Sequence, residues 1–125
     1  MSGQSRSAVL LAGLMGTAGV LHFVVPKAFD GTVPRILPGK ARTWTYASGA
    51  VELALAAGLA HPRTRVAAAR VTTGFFVGVF PANVQMAVDW RHRPRPQQVA
   101  AYARLPLQIP LVLWARGVAR GADGL

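Results

Sequence analysis

The sequence predicts an all-α protein, a four-helix transmembrane bundle with a proline-rich loop between the first and second helices. Of the 125 residues, 52% are hydrophobic and 14% are charged, and the charges separate four long apolar stretches. An α-helix rises ~1.5 Å per residue, so about 20 residues cross the hydrocarbon core of a bilayer. The chain is long enough for one compact domain, and we therefore expect residues 1–125 to form a single membrane domain.

The first helix is expected at residues 7–25. This stretch has no formal charge and ends at Pro26, which has no N–H and therefore cannot continue the helical hydrogen bonding. A cleaved signal peptide is the alternative, because Arg6 precedes the apolar run. We favour a membrane helix, since the run is long, only one basic residue precedes it, and no small-x-small cleavage site leads into a soluble domain.

A connector at residues 26–42 follows, with three prolines and two glycines. Two interpretations of it remain open. The spacing of Val33, Ile36 and Leu37 fits a helical turn lying on the membrane surface, with the basic residues of the connector toward the lipid headgroups. The other interpretation is a linker that the prolines stiffen.

The second helix, expected at residues 43–60, contains the most informative residue of the chain. Glu52 is the only residue with a formal charge between Arg42 and Arg63, and it would lie near the middle of the bilayer. A charged group at that depth costs ~2.5 kcal/mol or more, so a functional role is the default hypothesis for it.

The third helix is expected at residues 71–88, a stretch without formal charge, and the fourth at residues 97–115. The pattern for the fourth helix is weaker. Its charge-free part is 11 residues long and contains Pro106 and Pro110, and both properties are unusual for a membrane span.

Polar residues of the four predicted helices fall at similar depths. If the helices alternate in direction, five of these residues lie at the middle of the membrane or in the half that is nearer to the connector. Residues four apart share a helix face, which adds a serine one turn before Glu52. We therefore predict a ligand-binding pocket inside the bundle, beneath the connector, lined by His22, Ser48, Glu52, Asn83, Arg104 and Gln108.

Glu52 and Arg104 lie at nearly the same predicted depth, so we expect them to form an ion pair that lowers the cost of burying each charge. The alternative to a pocket is a structural polar network, in which Arg104 extends toward the headgroups and Glu52 is protonated and hydrogen-bonded. We favour the pocket, because polar residues of membrane helices face the protein interior more often than lipid.

The composition argues against several classes of function. The chain has no cysteine, and therefore no disulfide and no thiolate metal site. Its 14 basic residues, against 4 acidic ones, lie between apolar stretches, an arrangement that suits anionic lipid better than nucleic acid. No G-x-S-x-G, HExxH or phosphate-loop motif indicates an autonomous enzyme, and the three histidines are too far apart to predict a metal site.

Short motifs are spread over most of the chain: Leu21-His22-Phe23 with Pro26 and Phe29, Val33-Pro34 with Leu37-Pro38, Ser48-Gly49 with Glu52-Leu53, Phe80-Pro81-Ala82-Asn83 with Met86-Ala87, and Arg104-Leu105-Pro106-Leu107-Gln108 with Pro110 and Trp114-Ala115. Together, over roughly residues 10 to 120, they resemble the DoxX-like family of small bacterial integral membrane proteins. The resemblance implies a four-helix membrane protein in a family named after a subunit of a thiosulfate:quinone oxidoreductase. The family pattern includes the five polar residues that share a depth but does not say what they bind.

Three functions are compatible with these features. The first is an accessory subunit of a membrane redox system that binds a quinone or another lipid ligand, in which His22 or Asn83 bonds a carbonyl and Glu52 relays a proton. The second is a non-catalytic scaffold or assembly partner whose basic loops recruit a protein. The third is a small proton-coupled transporter, which fits least, because the small multidrug resistance transporters carry their glutamate in the first helix and have tighter loops.

We also predict a multi-pass location in the bacterial inner, or plasma, membrane. The basic residues are divided almost equally between the two sides of the predicted bundle, so the positive-inside rule does not orient it. The resemblance to proteins whose active loop lies outside the cell leads us to expect both termini in the cytoplasm.

Overall fold

The computed structural model describes residues 3–33 and 37–121, and the regular secondary structure in these residues is all helical. This confirms the predicted all-α class. The five helices are α1 (Gly3–Val24), α2 (Pro26–Asp30), α3 (Ala41–Ala60), α4 (Arg65–Asp89) and α5 (Arg95–Ala119). The residue ranges of the four long helices overlap those of the four predicted helices, and the short helix α2 lies inside the predicted connector.

Two helices of the described residues are long and apolar enough to cross a membrane, Ser5–Val24 and Arg65–Asp89. Helices α3 and α5 each carry strongly polar residues near their middle. Glu52 lies in the middle of α3, and Arg104 and Gln108 lie in the middle of α5. The polar residues that set these two helices apart are the ones from which the pocket was predicted.

The prolines have two different effects on the helices. Helix α1 ends at Val24, and Pro26 begins α2, so this proline stops one helix and starts the next, as its missing N–H favours. In contrast, Pro106 and Pro110 lie inside α5, which extends through both of them. The fourth helix is therefore longer than its weak pattern predicted.

The long helices pack mainly in two pairs, α1 against α3 and α4 against α5, and contacts between α3 and α4 join the pairs. Glycines allow the close approach of α1 and α3. A Cβ atom at Gly49 would lie 2.7 Å from the Cβ of His22 and 3.1 Å from the backbone oxygen of Gly19. This contact sets the distance between the helix that carries His22 and the helix that carries Glu52.

The predicted surface turn in the connector is only partly described. Val33 and Leu37 lie outside any helix, whereas Ile36 lies outside the described residues. The helical part of the connector is instead at Pro26–Asp30, and it begins seven residues before the predicted surface turn.

Candidate functional site

A cavity of about 390 Å³ lies among the helices, and all five of them contribute to its walls. The structure brings all six of the predicted pocket residues to this one cavity. They come from α1, α3, α4 and α5, and they are His22, Ser48, Glu52, Asn83, Arg104 and Gln108. Residues of α2 and the following loop complete the wall on the connector side, namely Phe29, Thr32, Val33 and Leu37.

His22 is buried and held in one orientation by two contacts. Its Nδ1 atom lies 2.6 Å from the carbonyl oxygen of Ala18, one turn earlier in α1. A carbonyl oxygen only accepts hydrogen bonds, so Nδ1 carries the proton. The ring also stacks on Phe29, with 3.8 Å between the ring centroids and 19° between the planes. In the neutral imidazole this leaves Nε2 as an acceptor for a molecule in the cavity.

Glu52 is 9% exposed, and its Oε2 atom is buried without a hydrogen-bond partner among the described residues. The His22 Nδ1 atom lies 3.7 Å from Oε2, which is too long for a hydrogen bond. Leaving a buried acceptor unsatisfied costs ~1–3 kcal/mol. Oε2 has almost no accessible surface, so a molecule in the cavity would contact the rest of the Glu52 side chain, which lines the wall.

The predicted ion pair between Glu52 and Arg104 is wrong. The Arg104 Nη1 atom instead donates to the Sδ atom of Met86, at 3.5 Å. Helix α3 packs against α1 and α4, whereas α5 packs mainly against α4, and the two side chains line the same cavity without an ion pair between them. Equal depth along two helices gave no information about which helices are neighbours.

Two amide side chains face the same space. Asn83 in α4 is 5% exposed and Gln108 in α5 is 7% exposed, and both line the cavity. Within the part of the chain that the structure describes, neither side-chain amide has a hydrogen-bond partner. Because buried amides are normally bonded, these two groups are available to a molecule in the cavity.

Sequence reasoning missed the aromatic part of the wall. Phe29, Trp44, Phe75 and Phe76 all line the cavity. Their side chains provide flat apolar surfaces against which a ring can stack. Helical spacing was the available signal: Trp44 precedes Ser48 by four residues, and Phe76 precedes Asn83 by seven.

The segment that covers the cavity, residues 26–33, is fixed by Asp30. The Asp30 carboxylate accepts hydrogen bonds from Arg42 Nε at 3.0 Å and Thr45 Oγ1 at 2.7 Å, and Arg42 Nη2 lies 2.9 Å from it. These donors hold the pKa of Asp30 below its ordinary value of 3.8, with the bond from Arg42 as the main cause. The covering segment is thereby tied to the start of α3.

A second contact ties the covering segment to α4. The indole Nε1 of Trp90 donates to the carbonyl oxygen of Gly31 at 3.0 Å, and the Arg93 guanidinium lies 4.3 Å from the centre of the Trp90 rings. The cover therefore has polar attachments to α3 and to the end of α4. We expect it to control access to the cavity from this end of the protein.

The cavity combines a buried carboxyl group, an imidazole with one free nitrogen, two amides and several aromatic rings. The amides can donate and accept hydrogen bonds, and the carboxyl group and the imidazole can hold a proton. Such a wall suits a small flat molecule with polar atoms at more than one edge.

The family described as Domain of unknown function (DUF8561) has a model that matches residues 11–119. No curated protein and no solved structure matches the chain. The matched range includes all the residues that line the cavity.

Proposed function

We propose that this chain, which belongs to the DUF8561 family, is a multi-pass membrane protein that binds a quinone in the cavity. In this proposal it serves as an accessory subunit of a membrane redox system. The family description gives no activity, so the proposal is based on the cavity and on the outer surface. The resemblance to the DoxX-like family, and the redox setting that it implies, are parts of this proposal.

The outer surface supports a four-helix transmembrane bundle. Large apolar side chains of all four long helices are exposed, and among them are Leu10 at 60%, Val51 at 42%, Val71 at 57% and Ile109 at 62%. Soluble monomers rarely expose continuous apolar surface of this kind, whereas lipid would cover it. Trp44 and Trp90 lie at the helix ends nearest the covering segment, a position typical of indoles at a membrane interface.

The observation that carries the proposal is a cavity of ligand size whose wall contains the Glu52 carboxyl group together with two amides and an imidazole. Pockets for small molecules measure ~300–1,000 Å³, and this one measures about 390 Å³. A quinone is a flat ring with carbonyl oxygens at opposite edges. The Asn83 and Gln108 amides would donate to those oxygens, and the aromatic wall would contact the ring faces.

The proton-holding groups fit the two states of a quinone. In the tautomer that the Ala18 carbonyl selects, His22 Nε2 accepts a hydrogen bond from a hydroxyl of the reduced form. Protonated Glu52 would donate to a carbonyl of the oxidised form. The proposed activity is binding of both forms, with a partner protein in the membrane carrying the redox chemistry.

Binding of duroquinone, a benzoquinone without a long tail, tests the proposal. Trp44 lines the cavity, so bound quinone should quench tryptophan fluorescence of the protein in detergent. We expect Gln108→Leu to weaken binding about tenfold, which corresponds to ~1.4 kcal/mol for one lost hydrogen bond. Gln97→Leu is the matched control, because Gln97 is an exposed glutamine of the same helix, remote from the cavity wall.

Glu52→Gln should also weaken binding, whereas the control variant should bind like the natural protein. Failure of the natural protein to bind duroquinone would refute the proposed function. Equal affinities of the Gln108→Leu and Gln97→Leu variants would show that the cavity is not the binding site.

A further inference from the structure

A second cavity of about 400 Å³ lies on the outer face of the α4–α5 pair. Its wall is apolar apart from one glutamine, and its residues are Val77, Phe80, Pro81, Gln108, Ile109, Val112 and Leu113. We call this second cavity the α4–α5 groove. Several of its side chains are exposed, including Val77 at 54% and Ile109 at 62%, so the groove is open toward the surroundings of the helix pair.

The groove adjoins the polar cavity at Gln108, which lines both. On each of the two helices, consecutive residues line different spaces. Phe76 and Leu111 line the polar cavity, whereas Val77 and Val112 line the groove. Gln108, 7% exposed, therefore contacts both the polar space inside the protein and the apolar space on its surface.

A membrane quinone consists of a polar ring and a long isoprenoid tail, and the two spaces match these two parts. We infer that the tail of the bound quinone leaves the cavity past Gln108 and lies in the α4–α5 groove, so that the ligand enters sideways from the bilayer. This inference rests on the proposed function. It assigns Gln108 two contacts, a hydrogen bond to the ring through its amide and a contact with the start of the tail through its methylenes.

The placement also explains why the groove is apolar while the cavity beside it is not. An isoprenoid tail already lies in an apolar phase in the membrane, so the groove adds affinity only through close packing. The polar wall of the cavity then supplies most of the binding, and the groove selects for ligands that carry a tail.

Photo-crosslinking tests the route of the tail. The probe is a decyl-substituted benzoquinone with a diazirine at the start of its alkyl chain, added to the protein in lipid nanodiscs. We expect crosslinks to residues 77–81 and 109–113, and excess duroquinone should suppress them, since it displaces the ring from the cavity. The control probe is an alkyl diazirine without a quinone ring, whose crosslinks to these residues should not respond to duroquinone.

Groove variants provide a second test that does not depend on crosslinking. Val112→Trp fills the groove, and Leu107→Trp is the matched control, because Leu107 is exposed on the same helix and lines neither space. We expect Val112→Trp to weaken binding of the decyl-substituted benzoquinone at least fivefold and to leave duroquinone binding within twofold. Ile109→Trp serves as a second groove variant if Val112→Trp does not fold.

The failures of the two proposals are distinguishable. If the natural protein does not bind duroquinone, the proposed function is wrong, and the proposed route of the quinone tail is then wrong as well. If duroquinone binds but the tail crosslinks to α1 or to the covering segment, only the route is wrong. Equal affinities of the groove variants and the Leu107→Trp control for the tailed quinone would likewise overturn the route alone.

Discussion

Glu52 is the residue on which the structure and the sequence agree most closely. Its position between two distant arginines predicted a functional carboxyl group, and the structure places it in a cavity wall without a hydrogen-bond partner for Oε2. A purely structural polar network would satisfy its own acceptors. The unpartnered oxygen therefore favours a pocket over the structural network that the sequence left open.

Replacing Glu52 with leucine separates these two roles. If Glu52 is retained for binding, Glu52→Leu should stabilise the protein by ~1–3 kcal/mol, because it removes a buried unsatisfied acceptor and keeps a similar volume. The same variant should lose duroquinone binding. The midpoint of thermal unfolding in detergent measures the first effect, and fluorescence quenching measures the second.

Glu52→Gln is the comparison, since it keeps a polar group and removes the capacity to ionise. It should lie between the natural protein and Glu52→Leu in stability. A lower unfolding midpoint for Glu52→Leu than for the natural protein would instead assign Glu52 to a structural network.

Asp30 gives a pH dependence to the covering segment. Arg42 and Thr45 hold the pKa of Asp30 below 3.8, so its folded-state value is lower than its unfolded-state value. The ionised form therefore stabilises the attachment at every pH above 3.8, and this contribution is lost as the pH falls through the lowered pKa. We expect no change of the covering segment between neutral pH and 3.8, and loosening below it.

Tryptophan emission can measure this loosening. Trp44 donates to the Pro38 carbonyl and Trp90 to the Gly31 carbonyl, so both indoles report on the connector. In a Trp114→Phe background, the emission should shift as the pH falls below 3.8. Asp30→Asn should show the shifted emission already at neutral pH, and an acid transition that is unchanged in that variant would contradict the assignment to Asp30.

At the scale of helices, the approach of α1 to α3 determines the geometry of the site. Gly49 packs against His22 and against the backbone of Gly19, and Glu52 follows Gly49 by three residues. The imidazole and the carboxyl group are near each other because two glycines let their helices touch. The spacing of polar residues along the chain does not contain this information.

Gly49→Ala should disturb this contact. The added Cβ would lie 2.7 Å from His22 Cβ and 3.1 Å from a backbone oxygen, which cannot rotate away. We expect a loss of ~1–3 kcal/mol from overpacking and weaker duroquinone binding, because the helices must separate. Thermal unfolding and fluorescence quenching measure the two effects.

Gly74→Ala is the matched control for this change. It lies in the middle of α4, and no heavy atom lies within 4 Å of the position of its added Cβ. Alanine favours a helix over glycine by ~1 kcal/mol, so the control should be as stable as the natural protein or slightly more stable. A Gly49→Ala protein that behaves like the control would show that α1 and α3 are not in close contact.

At the scale of the whole molecule, the proposal requires four membrane crossings. Of the described helices, two are long and apolar enough to cross a membrane by length and composition, α1 and α4. Helices α3 and α5 fall short because they carry the polar residues of the cavity. Glu52 and Gln108, both less than 10% exposed, face inward, whereas the large apolar side chains Val51, Leu107 and Ile109 are exposed on these helices. A helix that is too polar by composition can therefore still face lipid.

Cysteine labelling tests the number of crossings, since the natural chain has no cysteine. We expect Lys27→Cys and His92→Cys to react with an impermeant thiol reagent in intact cells, and His61→Cys to react only after the cells are broken. All three positions are exposed. Labelling of His61→Cys together with the other two in intact cells would exclude four crossings, and the reverse pattern would retain the crossings and place the termini outside.

Much of the helical layout and the site could be predicted because both depend on features that repeat along the chain. The four long helices follow from long apolar stretches that charges separate, and the shared face of Ser48 and Glu52 follows from helical periodicity. The aromatic residues of the wall were missed because Phe29 lies in the connector and the phenylalanines of α4 look like ordinary apolar residues of a span. The ligand-binding role of the site stays a prediction.

The sequence by itself determined that the chain is helical, where its long helices lie, and which polar residues share a depth. The tertiary structure decided which of these residues face each other, because rotation and neighbour choice depend on close contacts such as that at Gly49. It placed His22 rather than Arg104 beside Glu52, and it closed the cavity with a segment that Asp30 anchors. Depth is a one-dimensional property that spacing can give, whereas a pocket requires the packing of helices distant in the chain.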